Sequence, residues 1–107
     1  MTGKHEAPPL TAGEVEWILS NYITRADMDR RSWLQIISAL ANAFGDEKAT
    51  DIMLRHFPDE QKNETWRAAH GALRASTKCG LGSIIELARR CGGFNPQEFM
   101  RARRASF

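Results

Sequence analysis

Apolar residues in this chain recur three and four positions apart, in short runs that open on a capping residue and close on glycine or proline. That pattern restricts the chain to a set of short amphipathic helices. Thr11 is placed to cap the first, with Glu14 returning the capping-box bond, Leu10 stapling to Val15, and Val15, Ile18, Leu19 and Tyr22 forming its stripe. Ile23 to Met28 reads as a connection. Asp29 then caps a second helix carrying Trp33, Ile36, Ile37, Leu40 and Phe44, the strongest core signal in the chain. Gly45 supplies a left-handed stop and Asp46 a new cap for a third helix with Ala49, Ile52, Met53 and Phe57, which Pro58 ends.

Asn63 is the expected cap of a fourth helix with the stripe Trp66, Ala69, His70 and Leu73, interrupted by Gly71 at about 1 kcal/mol relative to alanine. Ala75 to Gly82 reads as a loop. Leu81, Ile84, Ile85, Ala88 and Cys91 mark a fifth helix closed by Gly92-Gly93. The sixth has the fullest entry signal: Phe94 before the cap, Asn95 as cap, Pro96 in the first turn, then Glu98 and Phe99, so that Phe94 and Phe99 form a staple and the helix runs toward Phe107. No strand pattern competes. The expected fold is all-α: one compact bundle of about five to six short helices spanning residues 10–107, with a basic C-terminal helix at 95–106. Residues 1–9, containing Pro8-Pro9, read as a flexible lead-in or linker stub. An apolar content of 42% with three tryptophans and five phenylalanines supplies bulk for one core.

Only Cys79 and Cys91 could pair, and no signal pattern precedes them, so neither a disulfide framework nor secretion is indicated and a reducing cytoplasm fits best. No apolar run approaches the roughly 20 residues of a membrane span. The formal net charge of +2 hides an asymmetry. Up to Lys62 seven basic side chains face ten acidic ones, a net −3; from Asn63 onward eight face three, a net +5. A polyanion would meet the C-terminal part.

The order Trp33, Ala39-Leu40, Phe44-Gly45, Trp66, then Gly80-Leu81-Gly82-Ser83 leading into Ile84-Ile85-Glu86-Leu87-Ala88 and Gly92 resembles the primase C-terminal type 2 domain over residues 19–93. The chain departs from that pattern at Arg55-His56-Phe57 and at Lys78-Cys79. The resemblance implies a helical accessory module beside a primase or primase-helicase core in the DNA replication proteins of phages, plasmids and other mobile genetic elements. It also implies a role in holding template DNA or coupling primer initiation, and no independent active site.

The residues themselves leave two readings open. Arg67 and Arg74 lie two turns apart, Arg89-Arg90 opposite the Ile84-Ala88-Cys91 stripe, and Arg101, Arg103 and Arg104 on the last helix; with Lys78 they can form one basic surface for DNA, single-stranded or primer-template, or a solvated face paired to acids. Trp33 and Trp66, both in apolar stripes, are expected in the core rather than on unpaired bases. Trp17 lies off its stripe, at the edge of the core or at an interface, and with the acidic first half it could instead serve a protein-docking module for a helicase or other replication partner. His5, His56, His70, Cys79 and Cys91 lack metal-ligand spacing, so no metal and no cofactor is expected. His70 reads as a hydrogen-bonded core histidine and Cys91 as a small buried one. Asp46-Glu47 and Asp59-Glu60 fit helix starts rather than a catalytic pair. Gly80 to Ser83, with Lys78, could bind phosphate weakly but lacks the frame of a nucleotide loop.

Overall fold

The structure, a computed structural model, describes residues 10–24, 28–75 and 79–105, without the side chains of residues 103–105. Among these residues six helices follow one another: α1 Ala12–Tyr22, α2 Arg30–Phe44, α3 Asp46–His56, α4 Lys62–Arg74, α5 Leu81–Gly92 and α6 Pro96–Ala105. No strand occurs among the described residues. None of these helices is long and apolar enough to cross a membrane. The lead-in at residues 1–9 lies outside the description, as does the expected end of α6 at Phe107.

Three of the expected entry signals form as written. Thr11 Oγ1 accepts from the Glu14 N–H at 3.2 Å while Glu14 Oε1 accepts from the Thr11 N–H at 2.9 Å, a closed capping box. Asp29 Oδ1 accepts from the Ser32 N–H at 2.7 Å, and Asn95 Oδ1 accepts from the N–H groups of Gln97 and Glu98. Two expected caps do not form. Gly45 has φ +93° and ψ 164°, outside the left-handed helical region and in territory that side chains avoid. Its N–H donates to Ala41 O and its own carbonyl accepts from the Ala49 N–H, so one glycine both ends α2 and starts α3, and Asp46 becomes the first helical residue. At α4 the helix begins two residues earlier than expected, with Gln61 as the N-cap and Asn63 already inside the first turn.

Helix α2 is the hub. It packs against α3, α4 and α5, while α1 lies on α5 and, more lightly, on α3. Directions follow from pairs between helices. Arg30 and Glu64, at the starts of α2 and α4, approach to 3.4 Å, so these two helices run the same way. Asp46 at the start of α3 meets His70 late in α4, so α3 runs against α4. The large core residues come from α1, α2, α3 and α5: Val15, Ile18, Leu19, Trp33, Ile36, Ile37, Leu40, Ile52, Met53 and Ile84 are all buried.

Helix α4 answers them with small side chains. Its buried residues are Thr65, Ala69 and Ala72, so the expected stripe is displaced by one position, and Trp66, His70 and Leu73 lie toward solvent. Helix α4 packs against both α2 and α3, and the short side chains on its inner face let the helices approach closely. The buried hydroxyls of Thr50 and Thr65 add no unsatisfied donor, because each bonds the carbonyl four residues back at 2.8 Å. A similar displacement occurs in α5, where Leu87 is buried with Ile84 and Ala88 while Cys91, expected inside, is exposed.

Candidate nucleic-acid interface

Two of the eight basic residues singled out in the sequence are Arg67 and Arg74, both on α4. The inward turn of Thr65, Ala69 and Ala72 places the two arginines on the opposite, solvent face, exposed and with no ion pair among the described residues. Beside them runs the displaced stripe. Trp66 is 41% exposed and Leu73 37%. The Trp66 and His70 rings, one turn apart, stack nearly parallel, with centroids 4.7 Å apart and planes at 10°. His70 is held from another helix. Asp46 Oδ2 lies 2.8 Å from His70 Nδ1, and a carboxylate accepts only, so Nδ1 carries the proton and donates. That bond, with the α3 N-terminus helping, holds the Asp46 carboxyl below the ordinary aspartate range.

The basic residues of α5 are in a different state. Arg89 grips Glu86 through two hydrogen bonds, Nε to Oε2 at 3.1 Å and Nη2 to Oε1, and Arg90 Nε stands 4.0 Å from the same carboxylate. The bond from Arg89 holds the Glu86 carboxyl below its usual range, and Glu86 raises Arg89 in turn. Much of that charge is therefore answered locally. Arg101 is exposed on α6 with no ion pair among the described residues. Lys78 and the side chains of Arg103 and Arg104 lie outside the described residues. Helices α4 and α5 flank α2 without packing closely on each other, so the basic residues are distributed over separate elements and α4 carries the clearest group.

Trp33 is buried in the core at 3% exposure, as expected, with the Arg30 guanidinium 4.9 Å from its ring centroid. A recess of about 230 Å³ lies beside it, lined by Met28, Asp29, Arg30, Trp33 and Glu60. Two carboxylates there face one guanidinium, Asp29 is occupied as a cap and Arg30 reaches Glu64, so the recess does not have the makings of an anion site. Trp17 is at the edge of the core, its ring stacked on Phe99 (5.6 Å, 27°) and edge-on to Tyr22 (5.7 Å).

Sequence reasoning missed one array entirely. Ser20 Oγ lies 3.2 Å from His56 Nδ1, and His56 Nε2 stands 3.5 Å from Glu16 Oε1, the oxygen that also accepts from Arg55 Nε at 2.7 Å. Serine, histidine and glutamate are in sequence, yet 3.5 Å is an ion-pair distance rather than a formed hydrogen bond, and Arg55 holds the carboxylate more tightly than His56 does. The group ties α1 to the end of α3. At the start of α5, Gly80 caps without a side-chain bond, and Cys79 Sγ contacts Gln35 O and Ser83 Oγ, each at 3.3 Å. Among the described residues no three His, Cys, Asp or Glu side chains gather where they could share a metal ion.

No family model, no curated protein and no solved structure matches this chain.

Proposed function

We propose that this chain is a non-catalytic, nucleic-acid-binding accessory module that works in the cytoplasm beside a primase or primase-helicase core, the setting its sequence resemblance implies. In this reading template phosphates are engaged from the outer face of α4, with Arg101 on α6 and the remaining basic residues of the second half contributing at its margins. The observation that carries the reading is the pair Arg67 and Arg74: two guanidiniums on one exposed helix face, free of carboxylate partners among the described residues, in the part of the chain with a net charge of +5. Arginine suits the task because its fork donates two parallel bonds to a phosphate.

Fluorescence anisotropy of labelled single-stranded and duplex DNA, titrated with the full chain across a salt series, tests this. Micromolar binding at low salt is expected, weakening as salt rises. Changing Arg67 and Arg74 together to alanine should lower affinity by at least tenfold and flatten the log–log salt dependence by roughly 1.4 to 1.8, two phosphate contacts' worth. No binding at low salt, or binding indifferent to the double change, overturns the reading.

A further inference from the structure

We infer that the outer face of α4 takes single-stranded nucleic acid in preference to duplex, with one unpaired base stacked on the open face of Trp66 and adjoining phosphates held by Arg67 and Arg74. The inference rests on the phosphate-binding reading above and adds to it the form of the ligand.

Trp66 is built as a platform. One face of its indole is covered by His70 in a parallel stack, and the stack cannot swing freely because Asp46 on α3 holds His70 from another helix. Among the described residues no second ring packs on the indole and no cation sits over it, although 41% of the side chain is open. A tryptophan fixed in this way has lost its rotamer freedom on folding, so a base arriving on it meets a pre-formed surface. The arginines lie next to it on the helix. Arg67 is the neighbouring residue, and Arg74 is seven residues further along, about 10 Å of rise, so the two reach different phosphates of one strand.

The chemistry selects an unpaired strand. In a duplex each base face is buried against its neighbours, whereas a single strand can present a base to an aromatic ring. One nucleobase covers an indole face, and the flanking charges have the sign that phosphates require.

The test uses a fluorescein-labelled oligothymidylate, the same strand with an abasic site at every third position, and a blunt duplex of equal length, each titrated with the full chain at low salt. The unaltered protein should bind the oligothymidylate at least fivefold more tightly than the abasic strand or the duplex; base stacking on an aromatic side chain is worth roughly 5- to 140-fold per base. Trp66→Ala should abolish that preference, and Trp66→Phe should keep most of it. Equal binding to the three ligands by the unaltered protein, with Arg67→Ala/Arg74→Ala still weakening all of them, overturns the stacking inference and leaves phosphate binding standing. No binding to any ligand removes both.

Discussion

Trp17 and Trp66 leave similar fractions of their side chains open, 47% and 41%, but the two regions around them use aromatic surface in opposite ways. Around Trp17 the rings are consumed by the fold. Trp17 stacks on Phe99, Phe99 sits 5.6 Å from Phe94, and Phe94 meets Tyr22 edge-on at 4.9 Å, so four aromatic residues from α1, α6 and the turn between α5 and α6 form one cluster. Among the described residues helix α6 makes little close backbone approach to the other helices, and this cluster is its main aromatic attachment. Around Trp66 the packing is done by Thr65, Ala69 and Ala72, and the ring is left over, with one histidine of its own helix and no other ring among the described residues stacked on it. Exposure alone does not separate a ring that the fold uses from one that it leaves open. What separates them is whether the ring's partners come from elsewhere in the chain.

The largest expected effect breaks the comparison on the structural side. Gly92 closes α5 directly against the end of α1: a Cβ there would lie 2.5 Å from Tyr22 O and 2.8 Å from Tyr22 Cα, both backbone atoms that cannot turn aside. Gly92→Ala should therefore push α1 and α5 apart and disturb the ring cluster through Tyr22. A loss of about 2–3 kcal/mol is expected in urea denaturation, since overpacking costs roughly 1–3 kcal/mol and alanine's better helix propensity recovers little at a terminal position. The α4 face is on the other side of the hub, so the protein that remains folded should bind DNA as before. Weakened binding by the folded fraction would mean that the two regions are not independent.

A smaller effect sharpens the same contrast. Trp17→Ala removes the stacking partner of Phe99 and should cost about 1–2 kcal/mol, less than the roughly 3–5 kcal/mol of a fully buried tryptophan because half of the ring already faces water. The loss should concentrate in α6, visible as faster hydrogen exchange over Pro96–Ala105 and faster tryptic cleavage after Arg101, while α4 stays protected. Uniform loss of protection over all six helices would show that α6 belongs to the main cooperative unit rather than hanging from the ring cluster.

Much of this fold is readable in the sequence where a single residue type determines local geometry. Thr11 with Glu14, Asp29 and Asn95 cap as their chemistry dictates, and the dense stripe of α2 has only one way to face. Helix α4 defeats the same reasoning because it carries two stripes at identical spacing, Thr65-Ala69-Ala72 and Trp66-His70-Leu73, one position apart. Periodicity cannot choose between them. Size favours the second, but it is the first that faces α2 and α3. The candidate site inherits that ambiguity, since the exposure of Trp66 follows from the phase of α4. Pairing of Arg89 with Glu86 was legible, three residues apart on one helix, whereas Asp46 with His70 and Glu16 with Arg55 join residues 24 and 39 positions apart and appear only when the helices pack.

Those long-range carboxylates give the smallest effect in the series, and a way to locate each region's sensitivity to acid. The Glu16 carboxyl is held below its ordinary range chiefly by the hydrogen bond from Arg55, with partial burial opposing and His56 adding to the depression. A group whose pKa is lower in the folded state than in the unfolded chain stabilises the fold above its unfolded value, about 4.3 for glutamate, and that contribution is lost as pH falls through the folded value. Glu16→Gln should thus be less stable than the parent at pH 7, by less than either change above. The gap should persist down to about pH 5 and close progressively below about pH 4, where the parent's own carboxyl takes up its proton. Because Glu16 ties α1 to α3 and does not touch α4, DNA affinity at pH 7 should be unchanged. Asp46→Asn makes the reciprocal case: it loosens His70 behind Trp66, so its main expense should fall on single-strand binding rather than on stability. A Glu16→Gln protein that lost single-strand binding while Asp46→Asn kept it would reverse the assignment of the two regions.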